Sequence, residues 1–210
     1  IYFVAVASML VGSFGALNQN NFKRLLAYAS ISHVGFMLIA LLFIDASAHT
    51  SLVTYIIIYA IMTIGAFAAL LYLKQSHRTA EINNSDSIED IALFSGLGKS
   101  NPVLAFALSV LLLSMAGIPP FAGFFAKFFI FMIAVNHDFI GIVLIAAFAT
   151  IVSAFYYLKI IKIMYFDPAQ EAYTRKASLI TSVILFLSVV FNIFYFIFPF
   201  AFISIVPQLL

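Results

Sequence analysis

The run from Asn101 to Val135 is 35 residues long and holds one ionisable side chain, Lys127. Gly117-Ile118-Pro119-Pro120 interrupts it shortly before the lysine. As one straight helix, residues 102–134 would reach roughly 50 Å, against a hydrocarbon core of about 30 Å. A Pro-Pro pair also removes helix hydrogen bonds, and only a protein-lined or wet cavity can satisfy the freed backbone groups. A lysine at bilayer depth costs about 2.5–3.5 kcal/mol on insertion scales and faces a protein interior or a water path. The run is therefore read as a broken transmembrane helix carrying a buried cation, part of an ion pathway. The bland reading is a lysine that snorkels to the surface or sits in a structural ion pair.

The rest of the sequence agrees with a membrane setting. Hydrophobic residues make up 65% and charged residues 9%, against about 25% charged in soluble domains. The fold class is all-α integral membrane. Six apolar stretches are long enough to cross, at about 1–17, 25–44, 51–73, 102–134, 140–165 and 178–202, with the discontinuity near Gly117–Pro120. Residues 74–101 form the one long polar connection, in which Ser87 to Phe94 read as a short amphipathic helix ended by Gly96 and Gly98. With no cysteine in the chain, disulfides and thiolate metal sites are excluded. No nucleotide-binding or metal motif stands in a suitable context, and no secretory signal is present. The start at Ile1-Tyr2-Phe3-Val4, already inside an apolar run, suggests a piece of a longer polypeptide.

Charge fixes the expected orientation. Lys23, Arg24, Lys74, Arg78, Lys99, Lys159, Lys162, Arg175 and Lys176 fall at or beside the first, third and fifth connections. The second and fourth carry only Asp45, His49, His137 and Asp138 among ionisable residues. The tenth basic residue is Lys127 itself. The positive-inside rule places the basic side in the cytoplasm, and with it loop 74–101, leaving the C-terminus at Leu210 outside. Lys159 and Lys162, close to Tyr156 and Tyr157, read as interfacial anchors.

A second constellation opens the second span. Ten residues, about 15 Å of helix, separate Lys23 from His33, which puts His33 near mid-depth if Lys23 marks the boundary. Histidine titrates near neutral pH and both donates and accepts hydrogen bonds. Tyr28, Ser30 and Ser32 stand beside it and could hold water between titrating groups. For His33 two readings stay open, a relay on a hydrated line or a neutral histidine bonded to a neighbouring helix. Lys23 is either a pathway residue or an interfacial anchor.

Two runs carry a family likeness. Asn20-Asn21-Phe22-Lys23-Arg24-Leu25-Leu26-Ala27-Tyr28-Ala29-Ser30-Ile31-Ser32-His33-Val34-Gly35 and Leu113-Ser114-Met115-Ala116-Gly117-Ile118-Pro119-Pro120-Phe121-Ala122-Gly123-Phe124-Phe125-Ala126-Lys127-Phe128 resemble the two signature motifs of the antiporter-like subunits of respiratory complex I. One type of that family, M, has a glutamate where Lys127 stands. Another, L, continues into a long lateral helix, and both carry a histidine on the span after the His33 motif. Here that span reads Tyr59-Ala60-Ile61-Met62-Thr63, which fits the remaining type.

The resemblance implies a fourteen-helix fold with two inverted five-helix repeats, of which these spans would be the last six. It implies that Lys127 is the terminal lysine of a proton channel, His33 the polar residue on its connecting axis and Lys23 a basic residue near the cytoplasmic side. The implied function is proton translocation coupled to NADH oxidation by quinone in a bacterial inner membrane. No cofactor is expected in this chain, since NADH, FMN, iron–sulfur clusters and quinone would bind other subunits. The implied partners are the M-type, K-type and J-type subunits, the lateral helix of the L-type subunit and membrane lipid, with no nucleic acid. A subunit of a multi-subunit cation/proton antiporter or membrane-bound hydrogenase is the alternative, because those complexes share fold and motifs.

Overall fold

Residues 1–76, 89–168 and 178–199 are described by the computed structural model. Parts of the sequence expectations lie outside them: Ser87 and Ile88 of the amphipathic segment, Arg78, Arg175, Lys176, residues 200–202 of the last span, and Leu210. The described residues form helices α1 (Tyr2–Leu17), α2 (Phe22–Ala40), α3 (Ala46–Ser76), α4 (Leu97–Ser100), α5 (Pro102–Ala116), α6 (Ala122–Asn136), α7 (Ile140–Phe166) and α8 (Leu179–Phe194). Short 3₁₀ turns cover Ile91–Phe94 and Tyr195–Ile197. Three of these segments have the length and composition to cross a membrane: Ala46–Leu73, Ile140–Phe166 and Leu179–Ile197. Tyr2–Leu17, Pro102–Ala116 and Ala122–Asn136 are apolar but shorter.

Local chemistry sets the helix ends. The Asn21 side chain accepts from the Arg24 N–H, so α2 begins at Phe22, three residues before the boundary read from polarity alone. Asp45 accepts from the Ala48 N–H and the Ser47 hydroxyl, which starts α3 at Ala46, five residues earlier than expected. Asn101 accepts from the Leu104 N–H, with Pro102 at the first helical position of α5. These are N-cap devices that satisfy amides no helical carbonyl can reach. The amphipathic helix expected over 87–94 is, in its described part, only the 3₁₀ turn Ile91–Phe94. Asp90, in extended conformation, caps that turn through the Ala92 N–H.

Apolar side chains fill the interior and also cover much of the surface. α5 is apolar all round and buried along most of its length, as a central helix must be. On α7, Leu144, Phe148, Ile151, Phe155 and Leu158 form an exposed apolar stripe at helical spacing, while Ala146, Ala149, Ser153, Tyr156 and Tyr157 face inward. The Tyr156 and Tyr157 rings, close to Lys159 and Lys162 in sequence, are thus buried against the other helices. α1 and α2 approach so closely that a Cβ on Gly12 would lie 2.3 Å from the Ser32 amide nitrogen.

The connections meet in two groups. At one end the Ile91 N–H donates to the Asn20 carbonyl, Lys23 pairs with Glu89, the Ser95 hydroxyl donates to the Pro168 carbonyl and the Gly96 N–H to the Ile163 carbonyl. At the other end His137 contacts Asp45 and stacks on Phe43, while Phe139 meets Phe43 and Tyr2. First, third and fifth connections therefore share one end, and second and fourth share the other. The 102–136 segment joins the two ends through its break.

Candidate functional site

The break is built by a helix stop. Gly117 has φ +82°, a left-handed conformation that suits glycine. The Ile118 N–H donates to the Leu113 carbonyl and the Gly117 N–H to the Ser114 carbonyl, the paired bonds of a Schellman motif. That motif leaves the next two carbonyls, Met115 and Ala116, without helical donors. Lys127 supplies them: its Nζ lies 3.3 Å from the Met115 oxygen and 3.2 Å from the Ala116 oxygen. Side chains on a helix lean toward its N-terminus, so Lys127, in the second turn of α6, points back at the end of α5. It is 4% exposed. The negative end of the α5 dipole adds to the carbonyls' attraction for an ammonium, whereas burial opposes the charge. The Phe36 ring of α2 covers the other side, its centroid 5.0 Å from Nζ.

The same helix crossing depends on Gly123. A Cβ there would lie 1.9 Å from the Ser114 carbonyl oxygen. The Gly123 N–H, one of the unpaired amides opening α6, donates to the Ser114 hydroxyl at 2.9 Å. That hydroxyl donates in turn to Asn192 Oδ1 on α8 at 2.6 Å.

His33 is buried, and its Nδ1 lies 2.8 Å from the Tyr55 hydroxyl of α3. Its ring packs on Tyr59, 4.8 Å between centroids. A cavity of about 250 Å³ lies beside it, lined by Lys23, Ser30, His33, Tyr59, Thr63 and Tyr157 among others. Met115, whose carbonyl holds Lys127, also borders it. Among the described residues the buried Thr63 hydroxyl has no protein hydrogen-bond partner, while the buried Tyr157 hydroxyl adjoins that of Tyr156. A space with polar groups on its wall suits water. Lys23, about half exposed, stands at the same cavity and pairs with Glu89.

Two expected site residues face elsewhere. The Ser32 hydroxyl is 3.0 Å from that of Ser13, which donates to the Ala149 carbonyl. Tyr28 packs on Gly15 of α1. Residues 28 and 32, four apart, share the α1-facing side of α2, whereas Ser30 and His33, three apart, share the cavity side. Proximity in sequence to His33 was a poor guide, and helical phase separates the two pairs. Ser30 itself bonds to the Ala27 carbonyl of its own helix. Sequence reasoning missed Tyr55, Thr63, Tyr157, Ser114 and Asn192. Asn192 had a usable signal, being the one carboxamide between Ser178 and Phe202.

At the opposite end, His137 Nε2 lies 3.3 Å from Asp45 Oδ2. The Ser47 hydroxyl and then the Ala48 N–H hold the Asp45 carboxyl below the usual carboxylate range. Among the described residues no cluster of three His, Asp or Glu side chains could hold a metal ion.

A buried lysine thus sits at the break between two apolar helices of an all-α membrane fold, beside a histidine and a wettable cavity. A family model described as "NADH:quinone oxidoreductase/Mrp antiporter, TM" matches residues 1–153, and the chain belongs to that family. Curated relatives named "NADH-quinone oxidoreductase subunit N" include one from Wolbachia sp. subsp. Brugia malayi, 44% identical over 193 residues, covering 90% of this chain and 39% of that protein. Those from Parvibaculum lavamentivorans and Pelagibacter ubique are 39% and 38% identical, covering 95% and 100% of this chain and 40% and 43% of the relatives. The chain thus spans about two-fifths of the length of these relatives. A chain in the solved structure of respiratory complex I from Thermus thermophilus with bound aureothin superposes with TM-score 0.78 at 28% identity, over 98% of this chain and 44% of that one. A chain of the Mrp complex from Dietzia sp. DQ12-45-1b gives TM-score 0.81 at 19% identity, over 98% and 45%, a likeness of fold.

Proposed function

We propose that this chain acts within a proton-translocating membrane subunit of a bacterial NADH–quinone oxidoreductase, as the portion that carries protons past Lys127. The observation that carries the reading is the seat of Lys127, a buried amine held by two carbonyls that the helix break releases. The basic end of the molecule faces the cytoplasm in this reading, and the chain crosses six times, α5 and α6 together making one crossing. A proton entering near Lys23 meets water in the cavity held by Ser30, Thr63 and Tyr157. It continues by way of His33 and Tyr55 toward the lysine, and from there along α6 to the Asp45–His137 end. Carrying one charge across the membrane takes about 2.3 kcal/mol per 100 mV, so the drive comes from redox chemistry in other subunits. The M-type, K-type and J-type subunits and the lateral helix of the L-type subunit are the proposed neighbours on the exposed apolar faces, with lipid elsewhere.

The test is NADH-driven proton uptake by the reconstituted complex, normalised to NADH oxidation and to assembled enzyme. Lys127→Ala should assemble, because it removes the cost of a buried charge, yet lose coupling. Lys127→Arg should also fail, because a guanidinium whose pKa exceeds about 12 cannot release a proton in turnover. Normal coupling in both variants would leave the lysine as a structural charge. Co-purification separates the alternative: small antiporter subunits without redox partners would place the chain in a cation/proton antiporter instead.

A further inference from the structure

Asn192 is the one carboxamide on α8, fully buried, with a bond at each end of its amide. Its Nδ2 donates to the Ser188 carbonyl at 2.8 Å and its Oδ1 accepts from Ser114 at 2.6 Å. That assignment fixes the amide's orientation, because a flip would set Oδ1 against the Ser188 carbonyl oxygen. Ser114 has one hydroxyl hydrogen. With Asn192 present it points to a strong acceptor, and the oxygen's lone pairs are left for the Gly123 N–H. Without Asn192 the nearest alternative is the Met62 sulfur at 3.1 Å, a weak acceptor. The surrounding contact is tight, since a Cβ on Gly65 of α3 would lie 2.7 Å from Ser188 Cβ and 2.9 Å from Leu111 Cδ1. α3, α5 and α8 therefore converge on the turn of α5 that ends in Ser114, Met115 and Ala116.

We infer that Asn192 is a positioning residue for proton transfer: through Ser114 it fixes the end of α5 whose last two carbonyls hold Lys127. Ser114 adjoins Met115 in sequence and bridges to the first turn of α6, so its hydroxyl sets both the carbonyl pair and the approach of the helix that brings the lysine. α8 is thereby more than a lipid-facing wall, because it sets the geometry of a site to which it gives no ionisable group. The inference rests on the proton-carrying role proposed above for Lys127.

The experiment uses the full-length subunit in the assembled complex, reconstituted in vesicles, with Asn192→Ala, Ser114→Ala, the double variant and Lys127→Ala side by side. Proton uptake per NADH oxidised is measured across a pH series and normalised to assembled enzyme. The two single variants should lose coupling toward the level of Lys127→Ala, and the pH at half-maximal uptake should move, which a mere loss of stability would not cause. The double variant should be no worse than the poorer single, as expected of two groups acting through one hydrogen bond. If Asn192→Ala does not assemble, Ser114→Ala, which removes a single oxygen, carries the same comparison. Uncoupling by Lys127→Ala together with normal coupling and an unmoved pH profile in the other variants overturns the inference and leaves the lysine's role standing. Additive losses in the double variant also overturn it. Normal coupling in Lys127→Ala removes the proton-carrier reading and the inference with it.

Discussion

His33 and Tyr55 form the buried pair on which the middle of the site depends. Tyr55→Phe keeps the ring, which stacks against Phe36, and removes only the hydroxyl bonded to His33 Nδ1. A buried nitrogen left without its partner costs about 1–3 kcal/mol. The purified protein in detergent should therefore unfold at a lower temperature than wild type, and His33→Phe added to Tyr55→Phe should restore part of the loss. No change in the single variant would mean that water replaces the hydroxyl. At this scale the sequence was informative where a residue is costly in a membrane, as Lys127 and His33 are. It was silent about Tyr55 and Ser114, whose hydroxyls are common in apolar helices and gain meaning only from what a neighbouring helix presents.

At the scale of the element, the broken helix separates two kinds of damage. Gly123→Ala places a methyl 1.9 Å from a backbone oxygen, so α5 and α6 must move apart, and overpacking of this kind costs about 1–3 kcal/mol or more. Assembly should fall, as measured by the yield of intact complex. Gly117→Ala forces a side chain into the left-handed region, about 1–2 kcal/mol, and its Cβ would meet the flexible Lys127 chain at 3.0 Å from Cδ. Coupling should suffer more than yield in that variant. Equal yields and equal coupling for the two would contradict the geometry. The break itself was legible from Gly117, Pro119 and Pro120. Which face of α2 met the cavity was not, because α2 is apolar on several sides and only its partners decide that Ser30 and His33 turn one way, Tyr28 and Ser32 the other.

Across the whole molecule, one end is stitched by Asn20, Lys23, Glu89, Ser95 and Pro168, while the other is tied by Asp45 and His137 with aromatic contacts. Asp45 titrates lower in the folded protein than its ordinary value. Its contribution to stability is therefore present above the unfolded carboxylate value of about 3.9 and is lost as pH falls through the lowered folded value. Asp45→Asn keeps a competent cap for α3 but not the charge. The gap in unfolding temperature between wild type and this variant should be steady from about pH 7 to pH 5 and close below about pH 4. A gap that persists in acid would assign the contact to shape rather than charge. The charge tally along the sequence anticipated that first, third and fifth connections share an end. The stitching itself was not legible, since it depends on which backbone amides face one another across distant loops.

The seat of Lys127 has an arithmetical property. An ammonium offers three N–H bonds, and a neutral amine offers two with a lone pair. Two carbonyls, Met115 and Ala116, are there to be served. Among the described residues the seat offers no third carbonyl, and the Phe36 ring centroid lies 5.0 Å from Nζ. Giving up the ammonium's third proton leaves both carbonyls bonded, so the helix end that the lysine caps stays closed in either state of charge. A site of this kind can load and unload without dismantling the structure that holds it.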